Sequence, residues 1–147
     1  MTTNNWFECV TQHITEDEVT AKPTKHKQTY LVDAMSFTEA EARILEKLKD
    51  YAQMDFSIKK LAPVKIEEVI DDQESNKWFK AKIVFIHVDD KGKTKKNPII
   101  SLVRATDMEA ACINVNERMK NTVVEWFLGE IKEYDLFDYF PYFDPRM

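Results

Sequence analysis

From Trp6 to Ile14 the sequence WFECVTQHI alternates, with Trp6, Glu8, Val10 and Gln12 on one side and Phe7, Cys9 and Thr11 on the other, which predicts a strand. Glu16 to His26 carries charge, Pro23 and no periodicity, so a long, exposed hairpin loop or a ragged strand extension is expected before a second strand over Lys27–Ala34. Ser36 is followed three residues later by Glu39, a pair whose side chains can satisfy each other's orphan amides at a helix start. Beyond it Ala40, Ile44, Leu45, Leu48 and Tyr51 recur at threes and fours among charged residues, which predicts an amphipathic helix from Phe37 to about Ala52 with one buried stripe. Phe56 to Ile70, FSIKKLAPVKIEEVI, returns to alternation but slips phase between Ile58 and Leu61 and again after Ile66. A strand with a bulge or break near Pro63 fits, because proline has no amide for a ladder.

Asp71 to Lys77, DDQESNK, is polar and turn-forming, and after it the pattern restarts. Trp78–Val88 repeats the Trp-Phe opening, Asp89–Lys93 supplies a tight hairpin, and a second strand runs from Pro98 to Ala105. Leu31-Val32 and Ala34 are echoed by Leu102-Val103 and Ala105. Thr106 and Glu109 repeat the capping pair seventy residues on, opening a helix to about Asn121 whose buried line is Ala111, Val115 and Met119. Trp126, Leu128, Ile131, Tyr134, Leu136 and Tyr139 then lie seventy residues after Phe56, Ile58, Leu61, Val64, Ile66 and Val69, and all are apolar or aromatic. The chain therefore reads as a tandem duplication. The expected fold is α+β, one compact domain over residues 1–147 made of two ββαβ repeats, about 6–70 and 78–140, with antiparallel sheets and two helices on a shared core.

Three stretches carry a resemblance: Asn4–Glu8, NNWFE; Tyr30–Ile44, YLVDAMSFTEAEARI; and Trp78–Lys82, WFKAK. In these the chain resembles a bacterial domain family of unknown function, and the resemblance spans nearly the whole length. It implies no activity and no functional residues.

Composition narrows the chemistry. Gly92 and Gly129 are the only glycines in 147 residues, so glycine-rich phosphate loops of the dinucleotide or P-loop kind are excluded. Cys9 and Cys112 lack the close spacing of a metal pair and are too few for a disulfide scaffold. No metal or cofactor is expected. No apolar run approaches the ~18 residues of a membrane span, and the opening MTTNNWFE lacks a signal-peptide core, so a cytoplasmic address away from membranes is expected. The net charge of −5 disfavours general attraction to polyanions.

Charge is uneven, however: residues 73–125 hold ten basic and seven acidic side chains. Alternation puts Trp78, Lys80 and Lys82 on one strand face, and Lys91, Lys93, Lys95 and Lys96 crowd the adjoining hairpin. Together they offer stacking and phosphate neutralisation to a single-stranded nucleic acid, or simply a solvated sheet edge. His87, Asp89 and Asp90 suggest a metal or a base with its carboxylate, but alternation separates Asp90 from the other two and no further ligand is apparent. Asp33, at a strand end before a helix, is the candidate for carboxylate chemistry, although its counterpart in the second repeat is Arg104. The tail Tyr134–Phe143, YDLFDYFPYF, has six aromatics in ten residues. Phe137, Phe140, Tyr142 and Phe143 fall seventy residues after Glu67, Ile70, Asp72 and Gln73, three of them polar, so these aromatics are expected to fold over the first helix or to form an interface with a second copy. The expectation for function is a non-enzymatic binding or accessory protein acting through protein contacts, with nucleic-acid binding and an Asp33 enzyme as alternatives.

Overall fold

A computed structural model of the chain describes residues 5–49 and 56–142. It divides into two units, one formed by Met1–Lys65 with Leu136–Met147, the other by Ile66–Asp135. Among the described residues, eight strands form two antiparallel-rich sheets and there are two helices, an α+β fold. No helix among them is long and apolar enough to cross a membrane.

In the first unit, strand β1 (Trp6–Glu16) pairs antiparallel with β2 (Pro23–Asp33), helix α1 (Phe37–Lys49) follows, and β3 (Phe56–Val64) returns along the other side of β1. Strand β8 (Asp138–Phe140) completes the order β3-β1-β2-β8 by lying parallel to β2. Ala40, Ile44 and Leu48 of α1 pack on Phe7, Cys9, Tyr30, Val32 and Phe140. Burial of each large side chain here contributes roughly 2 kcal/mol. Leu45, expected in that stripe, is exposed, because the hundred-degree step carries it one position round from Ile44. Tyr51 lies outside the described residues. Half of the Ser36–Glu39 pair forms as expected, with Glu39 N–H donating to Ser36 Oγ at 3.2 Å, while Glu39 Oε1 accepts from Met35 N–H at 3.3 Å, one residue before Ser36.

Of the two readings of Glu16–His26, strand extension holds for Pro23–His26, and the loop shrinks to the turn between Glu16 and Pro23. Beyond the residues that reach the core, β1 and β2 continue as a ribbon held by backbone pairing, which requires no apolar period. His13 stacks on its cross-strand neighbour His26 at 4.9 Å, and Thr15 Oγ1 lies 2.7 Å from His26 Nε2.

The second unit has β4 (Glu68–Ile70), β5 (Lys77–Val88), β6 (Thr94–Ala105), α2 (Met108–Met119) and β7 (Trp126–Tyr134), in the sheet order β4-β6-β5-β7. Ala111, Val115 and Met119 pack on Phe79, Ala81, Ile83, Val103 and Ala105. Asp107 rather than Thr106 caps α2. Its backbone is extended at φ −156°, and its side chain accepts from Ala110 N–H at 2.8 Å. The cap therefore stands 71 residues after Ser36, the same interval that separates Ala40, Ile44 and Leu48 from Ala111, Val115 and Met119.

Corresponding register positions recur throughout the two sheets. Trp6 opposes Asp33 as Trp78 opposes Arg104. The phase slip read between Ile58 and Leu61 is a β-bulge: the pairing of Val10 with Lys60 and Thr11 with Ile58 leaves Lys59 over. In the second sheet the pairing of Lys82 with Glu130 and Ile83 with Leu128 leaves Gly129 over. Pro63 stays within β3, where an edge strand tolerates it.

Two features depart from the expected ββαβ units. Each run adds a three-residue strand, and that strand does not join the sheet of its own repeat: β4 lies parallel along β6, and β8 along β2. In place of one core shared by both helices, each helix has its own apolar cluster on its own sheet.

Candidate functional site

The helix-facing side of β5 is taken by Phe79, Ala81 and Ile83, so strand alternation turns Trp78, Lys80, Lys82 and Val84 to the opposite side. Register adds Arg104, Pro98 and Lys96 from β6, and Tyr134, Glu130 and Phe127 from β7. At one end of this face Trp78 is only 4% exposed and the Arg104 guanidinium lies 5.2 Å from its ring centroid. Its ring is not presented for stacking. Lys80 Nζ lies 4.1 Å from the Tyr134 ring, a cation–π contact. Lys82 is exposed.

At the other end the face is open. Lys82, Val84, Lys96, Pro98, Phe127, Gly129 and Glu130 line a shallow depression of about 420 Å³. Phe127, 39% exposed, opposes buried Val84 across the strands, and Lys96 Nζ lies 5.9 Å from its ring. The bulge creates the space: a Cβ on Gly129 would lie 3.1 Å from Val84 Cγ2 and 3.7 Å from Phe127 Cε2. The corresponding positions of the first sheet hold Ser57 and Lys59.

The hairpin lysines have turn and edge duties. The backbone N–H groups of Lys91 and Lys93 each donate to Asp89 Oδ1 at 2.9 Å, and Lys95 Nζ stands 3.9 Å from Asp89 Oδ2. Asp89 is thus a turn-former, and His87 and Asp90 are exposed beside it. Among the described residues no group of three His, Cys, Asp or Glu side chains is placed to hold a metal. Lys95 and Lys96 lie on a stretch of β6 that extends beyond its pairing with β4, where lysine and Pro98 guard an open edge.

Asp33 is 3% exposed. Burial raises its carboxyl above the ordinary carboxylate range, with Arg43 opposing and Glu39 adding to the shift. Arg43 donates to the Asp33 main-chain carbonyl, the role that Asn114 plays toward Arg104 at 3.2 Å, so this strand end is tied to its helix in both units. Cys9 is buried in the core of the first unit, and burial pushes its thiol up to about 11.

In the tail Phe140 is 4% exposed and stacks on Tyr30, with ring centroids 5.8 Å apart. Phe137 is 53% exposed and meets Tyr30 edge-on, while Tyr142 receives the Arg43 guanidinium at 4.6 Å. Phe143 lies outside the described residues. The tail thus folds back onto α1 through Phe140 and Arg43.

The residues that the sequence reading passed over are Val84, Pro98, Phe127 and Gly129. A signal was present: a glycine inside a strand pattern, in a chain with only two, marks a bulge or a close approach. The chain belongs to the family described as a domain of unknown function (DUF4494), whose model matches residues 5–142. No curated protein matches the sequence.

Proposed function

We propose that this is a cytoplasmic, non-enzymatic accessory protein that acts through protein–protein contacts and receives its partner at the depression of the second sheet. The observation that carries the reading is the exposed Phe127 beside the space left by Gly129, with Val84 and Pro98 as apolar neighbours and charged residues at the rim. An apolar centre within a polar rim is the anatomy of a protein interface. The two repeats read as copies of one ancestral ββαββ element, of which only the second holds Phe127 and Gly129 at the bulge.

Charge favours a protein over a nucleic acid. Lys80, Lys82, Lys91, Lys93, Lys95 and Lys96 stand with Asp89, Asp90 and Glu130, and the Lys95–Asp89 pair removes one of the six. Phosphate binding draws its affinity from many uncompensated cations, and a net excess of about three gives little counterion release. The covered ring of Trp78 removes the stacking platform on which the nucleic-acid reading depends.

The test is a photo-crosslinking amino acid placed at Phe127 and, as a control, at exposed Glu41 on α1. A discrete protein adduct is expected from position 127 in cells, competed by excess unmodified protein and absent from position 41. Nucleic acid as the adduct, or the same adducts from both positions, would reject the reading.

A further inference from the structure

We infer that the occupant of this depression is a short acidic peptide segment that inserts one large apolar side chain, an inference that rests on the protein-binding reading above. Size supports a single side chain with its flanking backbone, since about 420 Å³ lies at the low end of ligand-binding clefts. Composition makes that side chain apolar, because it would meet Val84, Pro98 and the exposed ring of Phe127.

Glycine at position 129 supplies the second argument. Gly92 has a φ of +78°, which calls for glycine, whereas Gly129 lies outside that left-handed region. What a side chain there would change is the space, since its Cβ would press on Val84 and approach Phe127. A side chain there would crowd the cross-strand contact with Val84 and narrow the depression beside Phe127.

Charge then selects the flanks. Lys60, Lys95, Arg104 and Arg118 all have carboxylate partners. Among the described residues, none stands within ion-pair distance of Lys82 or Lys96, even though Glu130 is the cross-strand neighbour of Lys82. Two ammonium groups without counter-charges at the edges of an apolar site favour carboxylates on the incoming segment. Glu130 limits the excess to about one charge, which suits a peptide bearing a few acids better than a polyanion.

Fluorescence anisotropy of the full chain tests this with three labelled probes of equal length. One is a peptide pool with a central Phe, Leu or Trp flanked by Asp and Glu, the second is the same pool flanked by Lys and Arg, and the third is an oligothymidylate. The acidic pool is expected to bind at least about tenfold tighter than the basic pool. Lys82→Glu with Lys96→Glu should abolish that preference, and Gly129→Val should weaken binding of the acidic pool at least about fivefold. The charge reversals are at exposed positions, so unchanged thermal melting certifies them even if Gly129→Val unfolds the sheet. Equal binding of the two peptide pools, or none of either, overturns the inference; if position 127 still crosslinks to a protein, the broader reading stands. Oligothymidylate binding tighter than both pools overturns the two together.

Discussion

Ala21 and Gly92 hold the same left-handed backbone at the ends of the two hairpin turns, with φ of 56° and 78°, and each donates its N–H to the aspartate that opens its turn. Asp17 accepts from Ala21 at 2.8 Å and Asp89 from Gly92 at 3.0 Å. Only the second turn has the residue suited to that conformation. A left-handed residue with a Cβ is strained by about 1–2 kcal/mol, while glycine costs roughly 0.5–1 kcal/mol in chain entropy. Ala21→Gly should therefore raise stability by up to about 1 kcal/mol, and Gly92→Ala should lower it by a similar amount, both read as shifts in urea midpoint at constant slope.

The start of α2 separates two adjacent residues. Asp107→Ala removes the side chain that accepts from Ala110 and should cost about 1 kcal/mol, whereas Thr106→Ala, at an exposed position outside the helix, should stay within about 0.5 kcal/mol. Equal losses at the two positions would contradict the cap assignment.

Asp33 gives stability a pH dependence of known sign. Burial raises its folded pKa, so the folded chain holds that proton more tightly than the unfolded chain. The resulting stabilisation is complete below the unfolded value and is lost as pH rises through the folded one. Asp33→Asn, which cannot ionise, should therefore gain on wild type between about pH 3 and pH 7, as followed by urea unfolding across that range. A constant difference across the range would show that the carboxylate is ionised at no cost.

The tail aromatics should separate by burial. Phe140→Ala removes a core ring stacked on Tyr30 and should cost about 3–5 kcal/mol, while Phe137→Ala, more than half exposed, should cost less than about 1 kcal/mol. Thermal melting of the two variants measures the difference, and a chain ending at Asp138, which also loses buried Tyr139 and the β2–β8 pairing, should lose at least as much as Phe140→Ala.

The two thiols should differ in reactivity. Cys9 is buried and its pKa is raised to about 11, so a thiol reagent at neutral pH should label Cys112 first and reach Cys9 only on unfolding. Peptide mapping after brief labelling decides the order.

Helix positions were legible because period and cap report on local geometry. Ala40, Ile44 and Leu48, with Ala111, Val115 and Met119, are spaced to share a face whatever they pack against. Thr24 and His26 do not announce a strand in the sequence, because ribbon pairing leaves no apolar alternation to read. The destinations of β4 and β8 were hidden for another reason: EVI and DYF are short enough to fit either sheet, and burial patterns tell that a residue is covered but not by what. The same gap misassigned Trp78. Alternation correctly set it on the lysine side, yet its ring lies under Arg104. At the site, Gly129 carries a signal of its own as a glycine inside a strand, but Phe127 stands out only as a departure from Ser57, which becomes informative once the bulges are seen to correspond.

The path of β8 also sets a timetable. The second unit is one continuous stretch, so every strand of its sheet has been synthesised once Tyr134 is joined to the chain. The first unit begins earlier but finishes later: β1, β2 and α1 must wait for Asp138–Phe140, made after the whole second unit, before the β2 edge is paired and Phe140 can enter the core. The portion made first is thus the last to be completed, and during that interval it depends on whatever shields an unpaired strand edge and an unfilled apolar cluster.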